Sequence, residues 1–326
     1  MDDIRDAAAG LSGVAVRTPL LPVDDLSERL GVAVLVKPES LQRVGAFKLR
    51  GAFNLVRQVA PGSSGVITYS SGNHGQAVAY AARRFGLRAV IVMPETVTAA
   101  KRAGVERLGG EVVLAGRTSR DRHEKAMEIA AAEHLTVIPP FDHPGIIAGQ
   151  GTVGLEIVQD CPDVATVVVP AGGGGLSAGV ATAVHHLAPR AAVVTVEPEG
   201  AGKVAASMAR GERVVLEKTG SVADGLITLS VGELNWEHLK RYVSRAATVS
   251  DTELKAAVRF ALERIKLVVE PSGAATLAWL LGRHTGELRG PVVAVISGGN
   301  VDWDGLVGLL GTSSSVPNPL SPIPST

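Results

Sequence analysis

The feature that most constrains this chain is a repeated alternation of short β-branched runs with Ala-rich, helix-like runs. Residues 65–69 (Gly-Val-Ile-Thr-Tyr) read as a strand, 76–85 as a helix, 89–93 as a strand ended by Pro94, and 99–108 as a helix. Residues 111–114 give a third strand, 120–134 a helix, and 136–138 a fourth strand ended by Pro139 and Pro140. Strands this short and continuously apolar are buried on both faces, the pattern of parallel strands joined by helical crossovers. A second series follows, with strands at 166–169, 193–197 and 292–296 and helices at 176–187 and 251–267. The expectation is an α/β protein with two open, twisted, parallel-rich sheets flanked by helices. Residues 65–142 would form a small domain. Residues 1–64, with a strand at 32–36, would join 143–311 in a larger one. The Ser- and Pro-rich stretch 312–326 would be a disordered tail.

The chain has 326 residues, 46% of them hydrophobic, enough for a sizeable core. Its 32 Lys and Arg balance 32 Asp and Glu, and aromatics make up 3%. Such a chain lacks the basic excess and the stacking platforms of a nucleic-acid binder. With one cysteine, Cys161, no intramolecular disulfide can form and a Cys-based zinc site is ruled out. The start, Met1-Asp2-Asp3-Ile4-Arg5-Asp6, lacks the pattern of a secretory leader. Residues 164–184 carry no charge, but Pro170 and four consecutive glycines read as strand, loop and helix rather than a membrane span. The expectation is a soluble, cytoplasmic protein with no membrane partner.

Four loops carry the chemistry. Ligands of open α/β sheets bind at the carboxyl ends of strands, and three of these loops follow predicted strands directly. Ser70-Ser71-Gly72-Asn73-His74-Gly75-Gln76 opens a helix, either as an anion-binding end or as an ordinary Ser or Asn cap. Gly172, Gly173, Gly174 and Gly175 open another, where backbone N–H groups and the helix dipole would cradle a phosphate; the plainer reading is a flexible loop. Ser297-Gly298-Gly299-Asn300 follows the strand at 292–296 and is either a hydroxyl facing the site or a Gly-rich turn. The fourth is Lys48, in Gly45-Ala46-Phe47-Lys48-Leu49-Arg50-Gly51. A lone lysine is ordinarily a solvated charge, but apolar neighbours would lower its pKa and free the amine as nucleophile or base. At the glycine loop a nicotinamide dehydrogenase competes, because Gly173-x-Gly175-x-x-Ala178 followed by Glu197 fits the dinucleotide fingerprint. That reading leaves Lys48 and the two other loops unexplained.

Together with Lys37-Pro38-Glu39-Ser40, Gly149-Gln150-Gly151-Thr152, Val196-Glu197-Pro198, Ala223-Asp224-Gly225 and Glu270-Pro271, these segments resemble the threonine/serine dehydratase and serine racemase family. This family comprises fold type II pyridoxal-phosphate enzymes, related in fold to the tryptophan synthase β chain. The resemblance implies that pyridoxal 5'-phosphate is the cofactor, bonded covalently to Lys48. It implies further that Gly172 to Gly175 hold the phosphate, Asn73 the phenolic oxygen and Ser297 the pyridine nitrogen, with Phe47 packed on the ring and Gly225 beside it. The substrate carboxylate would sit against Ser70, Ser71, Gly72, Asn73 and His74. A 3-hydroxy amino acid such as L-threonine or L-serine would then lose its hydroxyl and yield a 2-oxo acid and ammonia. The alternative is racemisation, with Lys48 and Ser71 as proton carriers on opposite faces of the cofactor. A homodimer is implied by the resemblance alone.

One residue departs from the family pattern. Racemase-like members hold a divalent ion with the glutamate of the Val-Glu-Pro segment and an aspartate six residues later. Here Glu197 is followed by Lys203, whose ammonium would take the cation's place, so no metal is expected. Arg50 is read as ordering the segment around Lys48, Cys161 as structural, His185 and His186 as solvated, and Pro140-Phe141-Asp142 as lining the space between the domains.

Overall fold

Ten strands pair into two sheets in a computed structural model that describes residues 1–70, 72–282 and 288–311. The strands are β1 (Leu21–Pro22), β2 (Val34–Pro38), β3 (Gly65–Tyr69), β4 (Arg88–Met93), β5 (Glu111–Leu114), β6 (Thr136–Val137), β7 (Thr166–Pro170), β8 (Ala192–Pro198), β9 (Arg245–Val249) and β10 (Val292–Ile296). The smaller sheet runs β5-β4-β3-β6 and is parallel throughout. The larger runs β1-β2-β10-β7-β8-β9 and is parallel except for β1, which lies antiparallel on β2. Every residue of β7 and β10 is buried. Such strands need helices on both faces, and that is why the runs read from the sequence carry no polar alternation.

Parallel pairing points the strand ends the same way within each sheet. The turns after β7, β8 and β10 therefore lie along one edge of the large sheet, and those after β3 and β4 along one edge of the small one. The helix Lys48–Val59 packs against Asn73–Arg84, which follows β3, and against Pro144–Asp160. Its Leu49, Phe53 and Val56 share a core with Val66, Ala77, Val78 and Ile91 of the small sheet and its helix.

Several elements differ from the sequence reading. Pro144–Asp160 is a helix despite Gly145, Gly149, Gly151 and Gly154, which lower helix propensity. Those glycines allow backbone contact: a Cβ on Gly149 would stand 2.6 Å from the Arg50 carbonyl oxygen. A single helix is expected over 251–267. Instead the α-helix ends at Phe260, a π turn spans Ala261–Ile265, and Lys266 adopts φ +64°. That wide turn returns Leu267 to the core, its N–H donating to the Ala261 carbonyl. β9 escapes the sequence reading because its burial alternates, as suits a sheet edge. Residues 164–184 form β7, a loop and most of the helix Gly175–Leu187, and no helix among the described residues is long and apolar enough to cross a membrane. The expected tail at 312–326 lies outside the described residues.

Candidate active site

Lys48 is the first residue of its helix, placed by two anchors. Upstream, Ala46 bridges Gly298 and the Phe47 N–H donates to the Ser297 carbonyl at 3.1 Å, tying the lysine to the end of β10. Downstream, Arg50 lies 1% exposed and donates to both oxygens of Glu39, at 2.7 and 2.8 Å, and of Glu156, at 2.7 and 2.9 Å. Glu156 also takes Lys37 at 2.6 Å, and Glu39 takes the Thr18 hydroxyl at 2.7 Å. Two cations and two anions thus balance inside the protein. Burial alone would raise the Glu39 pKa, but the Arg50 guanidinium outweighs it and holds the carboxyl below its usual range. Arg50 therefore orders the segment around Lys48, as the sequence suggests.

The Lys48 amine donates to the Pro140 carbonyl at 2.7 Å and lies 5.3 Å from the centre of the Phe47 ring. Loss of water lowers its pKa to about 8, against an opposing pull from the Glu270 carboxylate. An amine in that condition is a usable nucleophile and base near neutrality.

The glycine loop after β7 stands where a phosphate cradle requires it. Gly174 adopts φ +96°, open to glycine at little cost, and the helix Gly175–Leu187 starts immediately after it. A Cβ on Gly173 would collide with the Phe141 ring, and one on Gly172 would meet the Gly225 carbonyl oxygen at 2.7 Å. The backbone must be bare for these neighbours to close on it. Among the described residues, no acceptor is found for the N–H groups of Gly172, Gly173 and Gly174. Free donors at the positive end of a helix suit an anion. Asn235 braces the loop from behind, donating to the Gly173 carbonyl at 2.7 Å. The Gly225 N–H is taken by the Ser272 hydroxyl at 2.9 Å.

At the small sheet, Gly72 precedes the helix Asn73–Arg84, whose first-turn N–H groups face outward. The Ser70 hydroxyl accepts from the Gly72 N–H at 3.3 Å. His74 is 2% exposed; its Nε2 lies 3.1 Å from the Ile138 carbonyl oxygen, and its Nδ1 has no partner among the described residues. Burial and the nearby Lys48 charge push its pKa down to about 3, so the ring stays neutral. Ser71 lies outside the described residues. Ser297, 4% exposed, sits at the end of β10 with its hydroxyl 3.5 Å from the Ser272 carbonyl oxygen.

Glu197 and Lys203 are both fully buried, and the ammonium donates to Glu197 at 3.0 Å. It also reaches the carbonyls of Ala201 at 3.0 Å, Leu226 at 2.9 Å and Ala171 at 3.3 Å. Glu197 accepts in addition from the Val204 and Ala205 N–H groups. That carboxylate is spent, so it cannot serve as the ribose-binding acid of a dinucleotide site. Among the described residues no cluster of three His, Cys, Asp or Glu side chains could hold a metal. The thiol of Cys161 is buried, its pKa pushed up to about 11 by loss of water, in keeping with a structural role.

Residues outside the expected cofactor and substrate contacts complete the site. Glu270, 8% exposed, accepts from Asn73 Nδ2 at 2.7 Å, and Asn73 Oδ1 accepts from Asn300 Nδ2 at 2.8 Å. The Pro140 carbonyl and Phe141 close on Lys48 and the glycine loop. The sequence expectation for Pro140-Phe141-Asp142 is a lining role between the domains.

A desolvated lysine amine bonded to Pro140, with Phe141 next to it closing on a bare-backbone anion cradle, defines an enzyme suited to a phosphate-bearing aldehyde. The family model described as pyridoxal-phosphate dependent enzyme matches residues 11–298, and the chain belongs to that family. Over 305 residues it is 39% identical to an L-threonine ammonia-lyase of Thermotoga maritima, covering 93% of this chain and 76% of that one. Over 303 residues it is 38% identical to a serine racemase of Schizosaccharomyces pombe, covering 92% and 94% of the two. A solved T.th. threonine deaminase superimposes with a TM-score of 0.89 at 40% identity, covering 93% of this chain and 99% of that one. Pyridoxal phosphate is therefore the cofactor, and the fold is type II, as expected from the sequence. The nicotinamide alternative falls.

Proposed function

We propose that this enzyme removes the hydroxyl and the amino group of a 3-hydroxy amino acid, L-threonine or L-serine first, giving a 2-oxo acid and ammonia. The desolvated Lys48 amine beside the glycine cradle carries this reading. Pyridoxal phosphate, when bound, withdraws electrons from the substrate's α-carbon and so acidifies its proton. In this assignment Lys48 would hold the cofactor at its aldehyde carbon and, as a free neutral amine, would take the substrate's α-proton. Gly172, Gly173, Gly174 and Gly175 grip the phosphate by backbone N–H groups, with Gly225 packed against them. Asn73 donates to the phenolic oxygen, Phe47 packs on the ring, and Ser297 faces the pyridine nitrogen. A hydroxyl there, unlike a carboxylate, would not hold a proton on that nitrogen. The N–H groups at the start of Asn73–Arg84, with Ser70 and Gly72 beside them, receive the substrate carboxylate. His74 supports that turn from below through Ile138.

Racemisation is the second reading, favoured by the similarity to the Schizosaccharomyces pombe racemase over 94% of its length; it would use Ser71 opposite Lys48. We propose further the division into domains at 1–64 with 143–311 and at 65–142, the absence of a metal at Glu197, a cytoplasmic location and a homodimer. Trp303 and Val307, 75% and 49% exposed on successive turns of the helix Trp303–Leu310, support a buried contact of that kind.

The test is keto-acid release across a panel of 3-hydroxy amino acids, with chiral analysis of the remaining substrate. Release from threonine or serine is expected, and Lys48→Ala should abolish it together with the visible band of the bound cofactor. Enantiomer exchange without keto acid would select the racemase reading. A Lys48→Ala protein that kept its band and turnover would sink both.

A further inference from the structure

Glu270 is a buried acid with no ion-pair partner among the described residues. What touches it only donates: Asn73 Nδ2 at 2.7 Å and the Asn300 N–H. That environment suits an acceptor-only carboxylate. Its place is fixed closely, because a Cβ on Gly298 would lie 2.5 Å from Glu270 Oε1.

The orientation of the neighbouring amides follows from the backbone. Val44 adopts φ +59°, the left-handed region, and its carbonyl accepts from Asn300 Nδ2 at 2.7 Å. A carbonyl can only accept, so Asn300 must turn its nitrogen that way, and the same nitrogen donates to Asn73 Oδ1 at 2.8 Å. Asn73 is thereby forced to present nitrogen to Glu270. One Asn73 N–H is held by Glu270, and the other has no acceptor among the described residues.

We propose that Glu270 is a positioning residue for the cofactor: as a carboxylate it locks the Asn73 carboxamide so that its second N–H is available to the cofactor, and protonation loosens that lock. The inference rests on Asn73 being a cofactor ligand. The charged groups that act on Glu270 are Lys48 from the helix Lys48–Val59, Asp224 from the turn Asp224–Leu226, and Lys101 from the helix Ala99–Arg107. Asp224 is itself paired with Lys101 at 2.6 Å. Burial first, then the Asp224 charge, raise the Glu270 pKa to about 7 against the Asn73 hydrogen bond. The lock therefore titrates in the working range of an enzyme.

The experiment is a double-mutant cycle on the cofactor-loaded protein, comparing wild type, E270Q, N73A and the double variant. Cofactor Kd is read by absorbance titration, and the visible band is followed across roughly pH 6 to 8. In the wild type the band shifts with a midpoint near the Glu270 pKa, and E270Q removes the midpoint and weakens binding about tenfold, one charge-assisted hydrogen bond. In the N73A background E270Q adds less than about twofold, because it acts through Asn73. E270D keeps the charge on a shorter stem and retains a titrating band, which carries the test should E270Q not fold. Additive losses, or an E270Q band that titrates like the wild type, overturn the inference while leaving Asn73 as a ligand. An N73A protein with wild-type affinity and band overturns the Asn73 assignment as well.

Discussion

At the scale of single residues, the Lys203–Glu197 pair shows how a departure from a family pattern can be read physically. Lys203 donates to four oxygens, two of them carbonyls next to the glycine loop and the Gly225 turn. Burial pushes its amine pKa down and that of Glu197 up, and the attraction between the charges opposes both shifts. K203M would leave a buried carboxylate without its cation, so urea unfolding should show a loss of about 3 to 5 kcal/mol. Adding E197Q should recover part of it, since the neutral amide still accepts from the Val204 N–H. Turnover of the wild type should be unchanged by a chelator and by magnesium; strong magnesium activation would refute the ammonium as the resident cation. This pair was legible because the family resemblance marks both positions, six residues apart after a strand. Glu270 was not, because its partner Asn73 is 197 residues away and only the folded chain brings them together.

At the scale of elements, the buried strands were legible and the helix contacts were not. β3 and β10 match the sequence expectation residue for residue, because a strand buried on both faces writes itself as an unbroken apolar run; β5 matches too, although it lies half-exposed. Gly149-Gln150-Gly151-Thr152 is one of the segments that carry the family resemblance. In the fold it is a packing stripe: Gly149 admits the backbone of Arg50 and Gly51, and Gly151 faces Gly179 of the helix Gly175–Leu187. The helices behind Lys48 and behind the phosphate cradle thus both meet Pro144–Asp160 backbone to backbone. A side chain here moves both groups at once. G149V should lower the thermal midpoint by several degrees and weaken cofactor binding, whereas a valine at Gly211, beside which no neighbour stands, should cost stability only through its φ of +75°. Wild-type cofactor affinity in a folded G149V protein would count against the stripe as the support of the site. The π turn at Ala261–Ile265 belongs to this scale too: its periodicity reads as helix, and only the need to bury Leu267 sets where the helix widens.

For the whole molecule, three shifted groups of the site contribute to how stability follows pH in the cofactor-free protein. Glu270 is raised to about 7, so between its ordinary 4.5 and 7 the folded chain keeps a proton that the unfolded chain has lost, and stability falls as pH rises. His74 is lowered to about 3, so between 3 and its ordinary 6.5 the unfolded chain holds the extra proton, and stability rises with pH. The two slopes oppose each other where their windows overlap, which leaves the net dependence there shallow. Of these three, Lys48 acts above the other two. Its amine titrates near 8 when folded and at 10.5 when unfolded, so stability rises with pH across that interval. Below it, the desolvated ammonium is a constant cost that the fold carries for the sake of a reactive amine. K48M should therefore be more stable than the wild type at neutral pH. The amine would forfeit its bond to the Pro140 carbonyl, so the gain should be about 1 to 2 kcal/mol rather than the full value of the shift. That advantage should shrink steadily through the alkaline range and vanish where the unfolded lysine loses its own proton. Urea melts of both proteins at neutral pH and at two alkaline values would read it directly. A K48M protein less stable than the wild type, or a gain that ignored pH, would mean that the amine at position 48 is better hydrated than its burial implies.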